Sequence, residues 1–97
     1  MTRDEFDAAV KSRRLPDDIG HALAAMWYDA VGEWEKAHSQ AQAQEDATGA
    51  WVHAYLHRVE GDQSNAAYWY RRAGRPECKD SLSEERDVIL SSLLLGA

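Results

Sequence analysis

The stretch from Ala50 to Pro76, AWVHAYLHRVEGDQSNAAYWYRRAGRP, decides the fold that we predict for this chain. Its first half carries apolar and aromatic side chains at helical spacing on two opposite faces, until Gly61 and Asp62 interrupt the pattern. Helical spacing then resumes and ends at Gly74 and Pro76, which are residue types that terminate helices. The stretch therefore predicts two helices joined by a tight turn.

Further helices are predicted on both sides of this pair. Thr2 and Glu5 form a capping-box pattern ahead of the first apolar residues, and Ser81 and Glu84 form another ahead of a leucine-rich segment. We expect no strand, so the fold class is all-α, with about six helices arranged as antiparallel hairpins. The helices are expected to begin near Thr2, Pro16, Glu33, Thr48, Asp62 and Ser81.

An internal repeat supports the hairpin arrangement. Gly32 followed by Ala37 is matched 29 residues later by Gly61 followed by Ala66, each pair at a turn between helices. Small residues at such points let two helices approach closely. We expect one domain over residues 1–97, with an N-terminal capping helix in 1–15, two hairpins in 16–76 and a C-terminal capping helix in 77–97.

The repeat resembles the tetratricopeptide repeat. The second unit has residues typical of that pattern at Ala54, Ala66, Tyr70 and Ala73, with His57 where an aromatic residue is usual. The first unit agrees at Ala25, Tyr28 and Ala37 only. The stretches WVHAYLHRVEGD and AAYWYRRAGRP are also similar to a family of short uncharacterised bacterial proteins, a similarity that implies no activity. The tetratricopeptide resemblance implies a concave face that holds a partner peptide.

Composition limits the classes of partner. Eleven basic and seventeen acidic residues give a net charge of −6, which disfavours nucleic acids and anionic membranes as ligands. We expect a cytoplasmic protein because the charged start lacks a signal-peptide pattern and no segment has the apolar length to cross a bilayer. Cys78 is the only cysteine and is expected to be an ordinary loop residue.

The predicted partner-binding groove lies on the aromatic second unit. In the repeat register, Trp51, Tyr55 and Arg58 would line the concave face, and aromatic residues and arginine dominate the energetics of many interfaces. Arg71 and Arg72 are assigned to the same site, although they are also expected to pair with acids such as Glu60 or Asp62. The primary hypothesis is a module that binds a protein or peptide, alone or as a homodimer.

The alternative hypothesis is a small metal-binding or acid-base site. His53 and His57 are four residues apart on one helix, a spacing that lets two imidazoles reach one ion, and His38 on the preceding helix could supply a third ligand. Glu60 is a further candidate member. The competing structural interpretation packs these histidines inside the hairpin, hydrogen-bonded to Tyr70 or Asn65.

No catalytic or cofactor signature accompanies these candidates. The glutamate that follows the first histidine in zinc proteases is absent after His53, and there is no phosphate-binding loop or nucleophile elbow. The sequence therefore favours a protein that is not an enzyme and predicts no resident cofactor.

Overall fold

The computed structural model describes residues 1–95, the last of them by its backbone alone. Within this range the chain forms six α-helices and no strand, as the sequence predicts. The last two residues of the predicted C-terminal capping unit, 96–97, lie outside the described range. The helices are α1 (Arg3–Ser12), α2 (His21–Ala30), α3 (Trp34–Ala43), α4 (Ala47–Glu60), α5 (Gln63–Ala73) and α6 (Leu82–Leu95).

Two helical hairpins form the centre of the molecule. The most extensive contacts between helices are those of α4 with α5 and of α2 with α3, and α3 packs in turn against α4. Gly32 and Gly61 take left-handed conformations, with φ of 84° and 86°, at the two turns. The small residues predicted at the close points of the hairpins are completely buried: Ala25, Ala37, Ala54 and Ala66.

The second helix begins at His21, later in the chain than the start near Pro16 that the sequence predicts. Arg13 ends α1 in a left-handed conformation, and Asp18 is left-handed as well, with a φ of 56°. A residue in that conformation cannot continue a right-handed helix. The segment opened by Pro16 is therefore a loop, and α2 begins only after Gly20.

Gly49 permits the tight connection between α3 and α4. Asp46 caps α4, and its side chain accepts a hydrogen bond of 2.8 Å from the Gly49 backbone nitrogen. A Cβ atom at position 49 would lie only 1.8 Å from the carbonyl oxygen of Gln44. Because that obstacle is backbone, only glycine lets the end of α3 pass so close to the start of α4.

The terminal helix lies across one helix of each hairpin. α6 contacts α2 and α4, and it also contacts α1, whose Phe6 is buried in the same core. Ile89 and Leu90 anchor α6 and are almost completely buried. α6 therefore covers the face that the predicted groove would occupy.

A buried carboxylate ties α6 to the second hairpin. Glu85 of α6 is 3% exposed and accepts hydrogen bonds from Trp51 Nε1 at 3.2 Å and Tyr70 Oη at 2.7 and 2.5 Å. Arg58 forms a salt bridge of 2.6 Å with Glu85 and donates a second bond to the Asp80 carbonyl. Since every partner of this carboxylate is a donor, its charge is compensated inside the protein.

We predict that Gly49→Ala destabilises the protein although alanine favours helices. The backbone must shift to make room for the added Cβ beside Gln44, and this shift should lower the free energy of unfolding by about 1–3 kcal/mol. Gly20→Ala is the control, because no atom lies within 4 Å of the added Cβ. Urea unfolding of the two variants measures the difference, and equal stabilities would contradict the proposed close approach.

We predict that Glu85→Gln costs about 3–5 kcal/mol, because the amide leaves Arg58 without its buried counter-charge. Asp87→Asn is the matched control on the same helix. Its ion pair with Arg3 is exposed, with side-chain exposures of 55% and 38%, so its loss should cost less than about 1 kcal/mol. Similar losses for both variants, measured by thermal and urea unfolding, would show that the Glu85 network contributes little.

Candidate metal centre

Three imidazoles converge where the two hairpins meet. His38 lies on α3, whereas His53 and His57 lie one turn apart on α4. One ring nitrogen of each histidine lies within 4.8 Å of those of the other two. The Nε2 atoms of His38 and His53 are 2.7 Å apart, so one of these rings donates a hydrogen bond to the other. The three histidines considered as ligands in the sequence thus form one cluster, which we call the histidine triad.

Two tryptophans hold the triad in place. Trp34 stacks on His38 with ring centroids 4.9 Å apart, and Trp69 stacks on His53 at 3.8 Å, both at interplanar angles of 17°. The Trp34 indole also donates a hydrogen bond of 3.0 Å to the Leu56 carbonyl. Because these rings are packed and bonded, the imidazoles are confined to a narrow range of orientations.

Glu60 fixes the tautomer of His57. The Nδ1 atom of His57 lies 2.9 Å from Oε1 of Glu60. A carboxylate only accepts hydrogen bonds, so Nδ1 carries the proton and the lone pair of the neutral ring lies on Nε2. A carboxylate that binds the remote nitrogen of a histidine is the usual support for a metal-ligating imidazole.

The surroundings keep two of the rings neutral. Burial lowers the pKa of His53 from its usual 6.5 to about 4, and the neighbouring His38 and His57 add to the shift. Burial also lowers the pKa of His38, with a further contribution from His57. Neutral imidazole is the form that binds metal ions, so these two rings need not lose a proton at neutral pH.

One atom of the triad lacks a partner inside the protein. Among the residues that the structure describes, Nδ1 of His53 is buried and has no hydrogen-bond partner. A buried polar atom without a partner costs free energy and is commonly associated with function. The structural interpretation expected the histidines to form hydrogen bonds with Tyr70 or Asn65. Neither of these two residues bonds a histidine of the triad. Tyr70 binds Glu85, and Asn65 binds Asp62.

The predicted groove is not an exposed surface. Trp51 and Tyr55 are only 5% and 3% exposed, and Arg58 is held by Glu85. The two aromatic residues that the sequence assigns to a concave face lie instead in the core, where α6 packs against α4. Arg71 and Arg72 are exposed on α5. In the described part of the chain neither forms the predicted salt bridge with Glu60 or Asp62.

Sequence reasoning missed three residues that shape these two sites. Trp34 precedes His38 by one helical turn, and that spacing on α3 could have indicated their stacking. Trp69 comes from α5, and its approach to His53 follows from the packing of the second hairpin. Glu85 looked like an ordinary acid in the first turn of a helix, and no sequence signal distinguished it from its exposed neighbour Glu84.

Comparison of the chain with protein-family models, with curated proteins and with solved structures finds no match. The tetratricopeptide resemblance therefore stays a prediction. Among the described residues, no helix combines the length and apolar character needed to cross a membrane. The geometry of the site is the basis for the functional argument.

The lowered histidine pKa values predict that acid destabilises the metal-free protein. The folded state protonates His53 near pH 4, whereas the unfolded chain protonates it near 6.5. Between pH 6.5 and pH 4 the unfolded state therefore binds more protons than the folded state. The stability that the neutral His53 contributes is fully present above pH 6.5 and is lost as the pH falls toward 4. From about pH 7 to about pH 5 the loss should be about 2 kcal/mol.

Urea unfolding at several pH values, with chelator present, measures this loss. His53→Phe retains an aromatic ring against Trp69 and removes the titrating group, so its stability should change less over the same window. An equally steep pH dependence in this variant would exclude His53 as the source.

Proposed function

We propose that this protein binds a divalent transition-metal ion through the imidazoles of His38, His53 and His57. The observation that carries the proposal is the convergence of three ring nitrogens, supplied by two different hairpins, within 4.8 Å of one another. Three histidines with a fourth position left to another ligand are a common arrangement for zinc.

The distances within the triad suit an ion after a small adjustment. Zinc binds imidazole nitrogen at about 2.0 Å, and tetrahedral geometry then separates two ligating nitrogens by about 3.3 Å. The His38 and His53 Nε2 atoms are 2.7 Å apart in a hydrogen bond. An ion would take the place of the shared proton as the rings move slightly apart, and that proton would move to Nδ1 of the donor ring, which stays neutral. His57 supports the proposal because Glu60 already directs its lone pair to Nε2.

The ligand set favours a particular class of ion. Imidazole nitrogen suits Zn²⁺, Co²⁺, Ni²⁺ and Cu²⁺, whereas Mg²⁺ and Ca²⁺ require oxygen ligands. Since His38 belongs to α3 and the other two ligands belong to α4, the ion would also link the two hairpins. Binding should therefore stabilise the packing of one hairpin against the other.

The other functions considered have less support. An acid-base role requires a nitrogen that a substrate can reach, and His53 is only 2% exposed. The protein-binding or peptide-binding role, alone or as a homodimer, stays a prediction. The two aromatic residues assigned to its groove lie in the core and therefore do not support it. Metal binding requires neither a substrate pocket nor an exposed groove.

We predict that one equivalent of Zn²⁺ or Co²⁺ occupies the triad and stabilises the fold. An ion at about one hundred times its dissociation constant should add about 2.7 kcal/mol to the free energy of unfolding. Calorimetric titration gives stoichiometry and affinity, the visible absorption of Co²⁺ reports nitrogen ligands in tetrahedral geometry, and thermal unfolding with and without chelator gives the stability change.

Two histidine variants separate this site from adventitious binding. His38→Gln should abolish the Co²⁺ spectrum and the stabilisation, while leaving the α4 ligands in place. His21→Gln is the control, because His21 is exposed and bonds Gln40 away from the triad. The proposal fails if the unsubstituted chain binds no ion stoichiometrically. It also fails if His38→Gln binds the ion with the same affinity as His21→Gln and the unsubstituted chain.

A further inference from the structure

His57 belongs to a second group of potential ligands as well as to the triad. The other members are Glu60 and Asp62, and one ligand atom from each of the three residues lies within 4.8 Å of the others. Neither carboxylate belongs to the triad's own group, because the two groups share His57 alone. The ring of His57 therefore stands between two sets of donor atoms.

The turn between α4 and α5 creates the second group. Glu60 is the last residue of α4, Gly61 follows with a φ of 86°, and Asp62 is the N-cap of α5. This turn brings both carboxylates near the His57 ring, whose Nδ1 lies 2.9 Å from Oε1 of Glu60. Asp62 accepts two hydrogen bonds from Asn65, and a carboxylate has about four acceptor positions, so further coordination is available.

The charge at the end of α4 also favours a cation. The C-terminal end of a helix carries partial negative charge, and Glu60 adds a carboxylate to the end of α4, where it is unfavourable. Over residues 1–95, neither Glu60 nor Asp62 forms a salt bridge with a lysine or an arginine. Among these contacts His57 is the partner of Glu60, whereas Asp62 is bonded by the neutral Asn65, so neither carboxylate is paired with a permanently charged cation.

We propose that a second divalent transition-metal ion binds outside the first, coordinated by Nδ1 of His57 and by the carboxylates of Glu60 and Asp62. The inner ion binds Nε2 of the same ring, so His57 bridges the two ions. As the outer ion binds, the Nδ1 proton passes to solvent and Glu60 changes from hydrogen-bond acceptor to ligand. The bridge rests on the proposed function, because it requires the inner ion.

The two positions should differ in affinity. The inner ligands are three imidazoles, two of them buried, whereas the Glu60 side chain of the outer position is 38% exposed. The outer ion must also displace the Nδ1 proton. We therefore expect the inner position to fill first and the outer ion to dissociate more readily.

Titration of the full chain with Zn²⁺ and with Cu²⁺ tests the inference. The natural sequence should bind two equivalents in two phases. Asp62→Asn should retain the first phase and lose the second, or weaken it at least tenfold. Glu60→Gln should lose the second phase as well, and it should also weaken the first, because Glu60 orients His57 for the inner ion. Asparagine remains a good N-cap, so the Asp62 variant keeps α5 intact. Asp46→Asn is the matched control, since Asp46 caps α4 in the same way and should leave both phases unchanged.

Electron paramagnetic resonance of the copper-loaded chain tests the bridge itself. Two Cu²⁺ ions joined through one imidazole couple magnetically, so the signal per ion should fall when the second equivalent binds. A second equivalent that survives in both carboxylate variants would overturn the outer site. One equivalent in the natural sequence would also overturn it and leave the proposed function standing, whereas no bound ion would remove both.

Discussion

The docking of α6 through Glu85 is the constraint on which the rest of the structure depends. A carboxylate that is 3% exposed must be compensated, and three side chains from α4 and α5 supply the donors. These donors include Trp51 and Arg58, which the sequence assigned to a binding groove. The same interaction that completes the core therefore holds these two side chains against the last helix instead of leaving them free on a surface.

The fold class could be read from the sequence because its signals are local. Left-handed glycines, capping boxes and helical spacing each act within a few residues, and they identified six helices and the close points at Ala54 and Ala66. The start of α2 was mistaken because a left-handed Asp18 leaves no clear mark in the sequence. The packing of α6 against α2 and α4 is not a local property, since it depends on contacts between residues far apart in the chain.

The candidate site was partly predictable. The spacing of His53 and His57 on one helix is a local property, and both were identified with His38 and Glu60. Their alignment with His38 depends on how α3 packs against α4, which is a tertiary contact. The stacking of Trp69 on His53 likewise depends on tertiary packing. Sequence spacing thus supplied the ligands, and the hairpin contacts brought them together.

The burial of the middle of α4 determines the order in which the site can come apart. Every residue from Gly49 to His57 is buried, whereas only Ala37 and Ala41 are buried in α3. Amide protons in the enclosed helix exchange with solvent only when much of the protein opens, while those of α3 can exchange through smaller openings. Local opening of α3 would carry His38 away and leave the two α4 histidines in position. An ion held by the triad would therefore enter and leave through transient loosening of α3, at a rate set by that helix rather than by the global stability of the protein.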